Sequence, residues 1–380
     1  MTEQNQVATP KKSARSGMKR DLLLILFFGI VAVCCLALVG WRVVGEAALP
    51  ESAYQEIYVV PEQSGELSIA IAGDTMFGDG AQDLIETRGI FAPLQGVVTM
   101  LSDADVGVVN LEAPITAATE QLNSGAQFSY ASQPEAATAL SSIGVKVLQL
   151  GNNHTMDRAD VGLADTIALA NRAGMVTIGA GLDRMEAIRP VLIRTDDLTV
   201  ALVSFGEDYG SAKRAGDGVP GMVPFSAEAI IYAEQVARRA GADRVVALVH
   251  WGDNYAEVND LQRYWASELI AAGYDAIVGS GPHILQEIEV IDGVPVIYSL
   301  GNFAFGAPGR FASFGHSGLG AVAILTFTVD GGTLTVRCIC TDNLVVNYVA
   351  RECTPEETVL AASELKGGLV WNGSVGTLRF

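Results

Sequence analysis

Seven short apolar runs rich in β-branched residues recur between Leu67 and Ser280, and burying all of them together leaves few architectures. They read LSIAIAG (67–73), VGVVNLE (106–112), VKVLQLG (145–151), MVTIGAG (175–181), LTVALVSFG (198–206), RVVALVH (244–250) and DAIVGS (275–280). Each has the length of a strand and is too short for a buried helix. Between several of them lie helical patterns, VGLADTIALANRAG (161–174), AEAIIYAEQVARRAG (227–241) and LQRYWASELIAAG (261–273), each closed by a glycine as a C-cap would be. This alternation predicts an α/β layout. Farther on, EIEVIDGVPVIYSLG (287–301) and LTFTVDGGTLTVRC (325–338) are apolar runs broken by Asp-Gly, which is hairpin chemistry. The expected fold is therefore α/β, with a mixed sheet or a two-sheet sandwich flanked by helices.

The amino end obeys different physics. Residues 1–21 form a short basic tail, and residues 22–40, LLLILFFGIVAVCCLALVG, carry no charge. At about 1.5 Å per helical residue that segment spans roughly 30 Å, the hydrocarbon thickness of a bilayer. The lysines and arginines before it hold the amino terminus in the cytoplasm, and Trp41 stands where an interfacial aromatic belongs. No small-x-small cleavage site follows, which favours an anchor over a removed signal peptide. The expectation is one N-terminal transmembrane helix, a stalk over 41–66, a domain over 67–350 on the outer side of the cell membrane, and an extension over 351–380 packed on it.

Overall charge is −19, and the tail holds five basic against two acidic residues, so the rest of the chain carries −22. Such a body repels nucleic acid, and an anionic substrate needs a local cation to enter. Beyond Cys34 and Cys35 in the apolar segment there are three cysteines. Cys338 and Cys340 alternate along a strand and cannot bond each other well, Cys353 can pair with one of them, and no disulfide framework is visible. The Cys338-x-Cys340 pair lacks a second ligand pair for a metal, and burial as small hydrophobes is the expectation for it.

In open α/β sheets ligands bind beyond the carboxyl ends of strands. Here those ends carry Asp74, Asn110 with Glu112, Asn152-Asn153-His154, His250-Trp251-Gly252-Asp253 and Ser280-Gly281-Pro282-His283. One aspartate after a strand is often an N-cap, and one histidine at a strand end often only completes the edge. Five polar clusters at five strand ends, most beside glycines, point instead to a shared site for a divalent ion such as Mn²⁺, Zn²⁺ or Fe²⁺, or for substrate. His316, in the glycine-rich stretch FGAPGRFASFGHSGLG, has no carboxylate neighbour and is expected at the surface, in a loop able to close over the site.

The motifs GDTMFG (73–78), VVNLEAPIT (108–116), LGNNHTMDRADVGLADT (150–166), VHWGDNY (249–255) and GPHILQEIEVIDGVPVIYSLGNFAFG (281–306) resemble, in order, those of the CapA family of poly-γ-glutamate capsule biosynthesis proteins, related to calcineurin-like metallophosphoesterases. The resemblance implies a two-sheet sandwich and metal ligation by Asp74, Glu112, Asn153, His250 and His283. It makes His154 the general acid or the group stabilising the transition state, with Asp157 or Asp253 orienting an imidazole. Asn152, Trp251 and Asn302, beside those ligands, are expected to face the substrate. Two positions depart from the wider pattern: Asp74 is followed by Thr75-Met76 rather than x-His, and Ser280-Gly281 stand where many relatives have a further histidine. The ligand set accordingly allows one ion or two.

What the resemblance implies for function is capsule or poly-γ-glutamate biosynthesis at the membrane, through a metal-dependent hydrolase or transferase acting on the polymer. Two alternatives stay open: a non-catalytic subunit that handles polymer within a capsule synthase, and an exported metallophosphoesterase acting on a phosphorylated substrate. The first two differ in turnover of the polymer, and the third in turnover of a phosphodiester.

Overall fold

The computed structural model describes residues 49–380. The basic tail, the apolar segment 22–40 expected to cross a membrane, and the first part of the stalk lie outside the described residues. Among those described, no helix is long and apolar enough to span a bilayer.

Residues 51–380 form one compact unit built on two mixed sheets. The runs divide between them by position in the chain. Strands Glu66–Met76, Val106–Leu111, Val145–Gln149 and Val176–Ile178 lie side by side, parallel, in a ten-stranded sheet. Strands Thr199–Gly206, Arg244–His250 and Ala276–Ser280 are parallel neighbours in a seven-stranded sheet. Both Asp-Gly hairpins form: Asp292 and Gly293 take the positive φ values, 52° and 86°, that a tight primed turn requires. The second hairpin, Leu319–Thr328 with Gly332–Cys340, returns to the ten-stranded sheet beside Glu66–Met76.

Burial explains the layering. Side chains from both sheets, among them Ile69, Ile71, Val108, Val147, Val200, Leu202, Val246 and Val278, form one core between the sheets. A second core lies under helices Ala136–Ser142 and Ala159–Arg172, and a third under Ala227–Arg239 and Asp260–Ala272. A strand buried on both faces reads as a continuous apolar run, which is why these strands show no alternation. Helix Asp260–Ala272 is framed by a capping box at Asn259 and by a left-handed Gly273, the C-cap expected from the sequence.

Two expectations are corrected here, and a pairing left open is resolved. Residues 55–58, assigned to a stalk, form an edge strand paired in parallel with Val191–Arg194. Residues 351–380 are part of the sheet rather than an extension on it: strand Val375–Arg379 pairs with Gly332–Cys340, and helix Pro355–Leu365 buries Ala361 and Leu365 in the core between the sheets. Cys338 and Cys353 are joined in a disulfide, because strand Arg351–Glu352 lies antiparallel to Ile339–Cys340 and delivers Cys353 to Cys338. Cys340 alone remains a free, buried thiol among the described residues.

Candidate metal centre

The carboxyl ends of strands from both sheets meet at one place. Asp74 stands on the ten-stranded sheet between Asn110 and Asn302, which are its in-register partners on the two neighbouring strands. Gly73, before it, permits this: a Cβ there would lie 1.9 Å from the carbonyl oxygen of Gly301, whose oxygen accepts the Asp74 N–H. Glu112 follows the Val106–Leu111 strand, and His250 and His283 enter from the seven-stranded sheet. All four are buried, the two carboxylates completely.

Asp74, Glu112 and His250 each offer a ligand atom within 4.8 Å of the others. Asp74 is saturated with donors. Asn110 Nδ2 donates to its Oδ1 at 2.7 Å, Gly281 N–H to Oδ2 at 3.2 Å, and His283 Nδ1 stands 3.1 Å from Oδ2. Burial disfavours its charge, yet His283, His250 and Asn110 outweigh that and hold its carboxyl below the ordinary range. Glu112 is the opposite case. Neither of its oxygens has a hydrogen-bond partner, and burial together with the Asp74 charge pushes its carboxyl well above the usual range. An unpartnered, buried carboxylate is strongly unfavourable unless a cation compensates it. The amide oxygen of Asn153 is likewise buried without a partner. The orphaned Glu112 oxygens, grouped with Asp74 and His250, suit a hard or borderline divalent cation.

The two histidines titrate in opposite directions. Burial drives His250 down to about 3, which leaves it neutral, with Asn110 Nδ2 at 3.1 Å from Nδ1. Burial works against the charged form of His283 too, but Glu112 and Asp74 overcome it and raise the imidazole to about 9. His283 points Nδ1 at Asp74 and at Asn302 Oδ1, 3.0 Å away, so in this geometry it serves Asp74 as a donor and stands outside the three-residue group. Its φ of 63° is rare for a residue with a side chain, and Tyr255, whose ring faces it, also has a positive φ, 57°. Such backbone strain persists where the surroundings enforce it, commonly at functional sites.

His154 occupies the turn after Val145–Gln149. Its Nδ1 lies 2.7 Å from Asp157 Oδ2, which also accepts the Tyr130 N–H. The pairing makes Nδ1 the donor and leaves the lone pair on Nε2, 3.9 Å from Glu112 Oε1 and directed into the site. Asp157, and not Asp253, holds the imidazole; the Asp253 carboxylate accepts from Asn259 Nδ2.

The residues expected to face substrate lie behind the site instead. Trp251 is fully buried, donates Nε1–H to the Tyr298 carbonyl and stacks in the core with Phe225 and Tyr298. Asn152 is buried too and donates to Asn110 Oδ1 and to the Leu111 carbonyl, so it braces the turn that carries Asn153 and His154. Asn302 positions His283. His316 is half-buried, its Nε2 3.1 Å from the Tyr255 carbonyl, and ties the glycine-rich loop to the rim.

A cleft of about 200 Å³ opens above His154 and His283, with Tyr130, Tyr255, Phe305 and Arg310 among its walls. Sequence reasoning placed Asn110 among the strand-end polar groups without its role as the hub that joins Asp74, His250 and Asn152, and it missed Tyr130, 4.5 Å from His154 between ring centroids. Asn110 stands one residue from the end of a recognised strand and was visible there. Tyr130 lies in an irregular segment with no pattern.

The solved structure of Haemophilus influenzae NAD nucleotidase is similar to this chain with a TM-score of 0.40 and 15% identity, over 79% of this chain and 56% of its own. The PGA biosynthesis protein CapA of Bacillus subtilis (strain 168) is 31% identical over 241 residues, 63% of either chain. The capsule biosynthesis protein CapA of Bacillus anthracis is 27% identical over 249 residues, 64% of this chain and 61% of its own. The chain thus matches a little over three-fifths of the length of these relatives. The family described as bacterial capsule synthesis protein PGA_cap matches residues 68–307, one uninterrupted span that encloses all the residues converging on this centre, and the chain belongs to that family.

Proposed function

We propose that this chain is a membrane-anchored, extracytoplasmic protein of capsule assembly whose centre is a metal-dependent hydrolase or transferase site for an anionic γ-linked glutamate polymer. The observation that carries the reading is Glu112: a fully buried carboxylate without a donor, set between Asp74 and His250 and facing the free Nε2 of His154. The resemblance to poly-γ-glutamate capsule proteins suggests the polymer, in line with the name of one relative, PGA biosynthesis protein CapA. Asp74, Glu112, Asn153 and His250 would hold the ion, with His283 supporting Asp74. What a bound divalent cation supplies is Lewis acidity towards a carbonyl or phosphoryl oxygen. His154, with its tautomer fixed by Asp157, exchanges a proton at Nε2 with the attacking or leaving group. Buried Asn110 and Asn302 keep the floor of the site in register. Segment 22–40 would attach the protein to the membrane, beside synthase subunits; the acidic body keeps nucleic acid away.

The test is metal content of the purified full chain by elemental analysis, beside Glu112→Gln and His250→Ala, followed by turnover of γ-linked polyglutamate. Stoichiometric Mn, Zn or Fe that both variants lose, with polymer cleavage that follows the metal, is the expected result. A folded, metal-free wild type sinks the reading. Metal without polymer turnover would favour the polymer-handling subunit, to which the absent imidazoles at Met76 and Ser280 lend support; turnover of a phosphodiester alone would favour the phosphoesterase.

A further inference from the structure

The cleft has a cation with no acidic partner among the described residues. Arg310 lies exposed on its wall, with its guanidinium over the Phe128 ring, 5.1 Å from the centroid. Among the described residues no carboxylate stands within ion-pair distance of it, whereas Arg194, Arg214, Arg238, Arg263, Arg337 and Arg351 all have acidic partners. Arg88, Arg158, Arg172 and Arg379 also lack an ion pair among the described residues, and Arg310 is the arginine that lines the cleft. Asp79 lines the same cleft but makes no ion pair with it.

Its placement matters as much as its charge. Phe128 stacks on Tyr130 at 6.2 Å, and Tyr130 rests on His154 at 4.5 Å. Guanidinium, two rings and imidazole thus form one continuous wall from the mouth to the proton-exchanging nitrogen. Stacking on a ring face leaves the in-plane N–H edge of a guanidinium open, and that edge matches a carboxylate in a two-pronged hydrogen bond. Tyr255, which also lines the cleft, stacks on Phe314 at 4.8 Å.

We infer that Arg310 is a specificity-determining residue that anchors a free carboxylate of the substrate at the cleft mouth while the neighbouring linkage lies at His154. This rests on the cleft being the polymer's site. Each γ-linked unit keeps its α-carboxylate free, so the polymer offers such a group at every residue, and Arg310 admits it where the field of the body repels it.

Titration calorimetry of the full chain with a γ-linked glutamate hexamer, and with the same hexamer bearing α-carboxamides, tests this. Wild type should favour the acid by tenfold or more. Arg310→Gln should lower the acid-over-amide ratio about tenfold, and Arg310→Lys should retain part of it, with metal content equal in all three. An equal affinity of wild type for acid and amide, no binding of either, or a ratio unchanged in Arg310→Gln would overturn the inference. So would inorganic phosphate binding that exceeds the hexamer's and vanishes in Arg310→Gln, since it would assign the anchor to a phosphoryl group. A tenfold fall in the ratio in a chain without metal or turnover would leave the anchor standing and remove the chemistry; turnover with an unchanged ratio would do the reverse.

Discussion

The floor and the rim of the cleft are built by different rules. The floor, with Asp74, Glu112, His250 and His283, is set at strand ends, buried and tied by in-register asparagines. The rim, with Phe128, Tyr130, Tyr255, Phe314 and Arg310, comes from loops and the short 3-10 helix Phe311–Phe314, and meets through ring contacts. The difference separates two tasks: rigid elements place the atoms that must hold charge, while loops select what reaches them.

Variants can break that division or sharpen it. The largest effect is expected for Glu112→Gln, which keeps shape but removes the carboxylate that would hold the ion: metal stoichiometry should fall at least tenfold, while the melting temperature of the metal-stripped protein holds, since burial already disfavours the charged form there. A drop in stripped-protein stability would mean that Glu112 is a structural group. Next, His154→Asn should lower turnover by about 10²–10⁴ with metal retained, since proton transfer is lost and the floor is untouched; loss of metal as well would merge the two regions.

The third effect is one of pH. His283 is raised to about 9 in the folded state against an ordinary value near 6.5, so the native state binds the extra proton between them. Its stabilising contribution is complete below about pH 6.5 and is lost as pH rises through 9. Metal-stripped protein should therefore lose on the order of 3 kcal/mol over that window in denaturant titrations, and His283→Asn should flatten the curve. A wild-type curve already flat there would remove His283 from its role beside Asp74. The smallest effect belongs to the rim: Tyr130→Ala should raise KM for polymer roughly tenfold, within the range of one stacked ring, and leave metal content unchanged. A loss of metal in Tyr130→Ala would show that the rim supports the floor.

The same division governs what the sequence disclosed. The strands were legible because burial on both faces makes them continuous apolar runs, and their ends pointed to Asp74, Glu112, His154, His250 and His283 before any coordinates. Which polar neighbour turns inward was not legible. Asn152 and Asn153 are adjacent and chemically alike, yet the first is spent on Asn110 and Leu111 while the second keeps a free oxygen, a difference fixed by turn geometry. Trp251 misled for a similar reason, since alternation along a strand end sends it into the core opposite His250. Edge strand Gln55–Tyr58 and the closing strands after Arg351 carry too few apolar residues to announce themselves, and only pairing with partners far along the chain forms them.

One feature of the floor bears on time rather than place. The chain passes from one sheet to the other through Gly301, and its carbonyl takes the Asp74 N–H at the point where a single added carbon would not fit. That amide is closed off by both sheets at once, so local fluctuation of either sheet alone leaves it protected. In hydrogen exchange it should be among the last to take up deuterium, released only when the whole domain opens. The lifetime of the centre is then the lifetime of the fold.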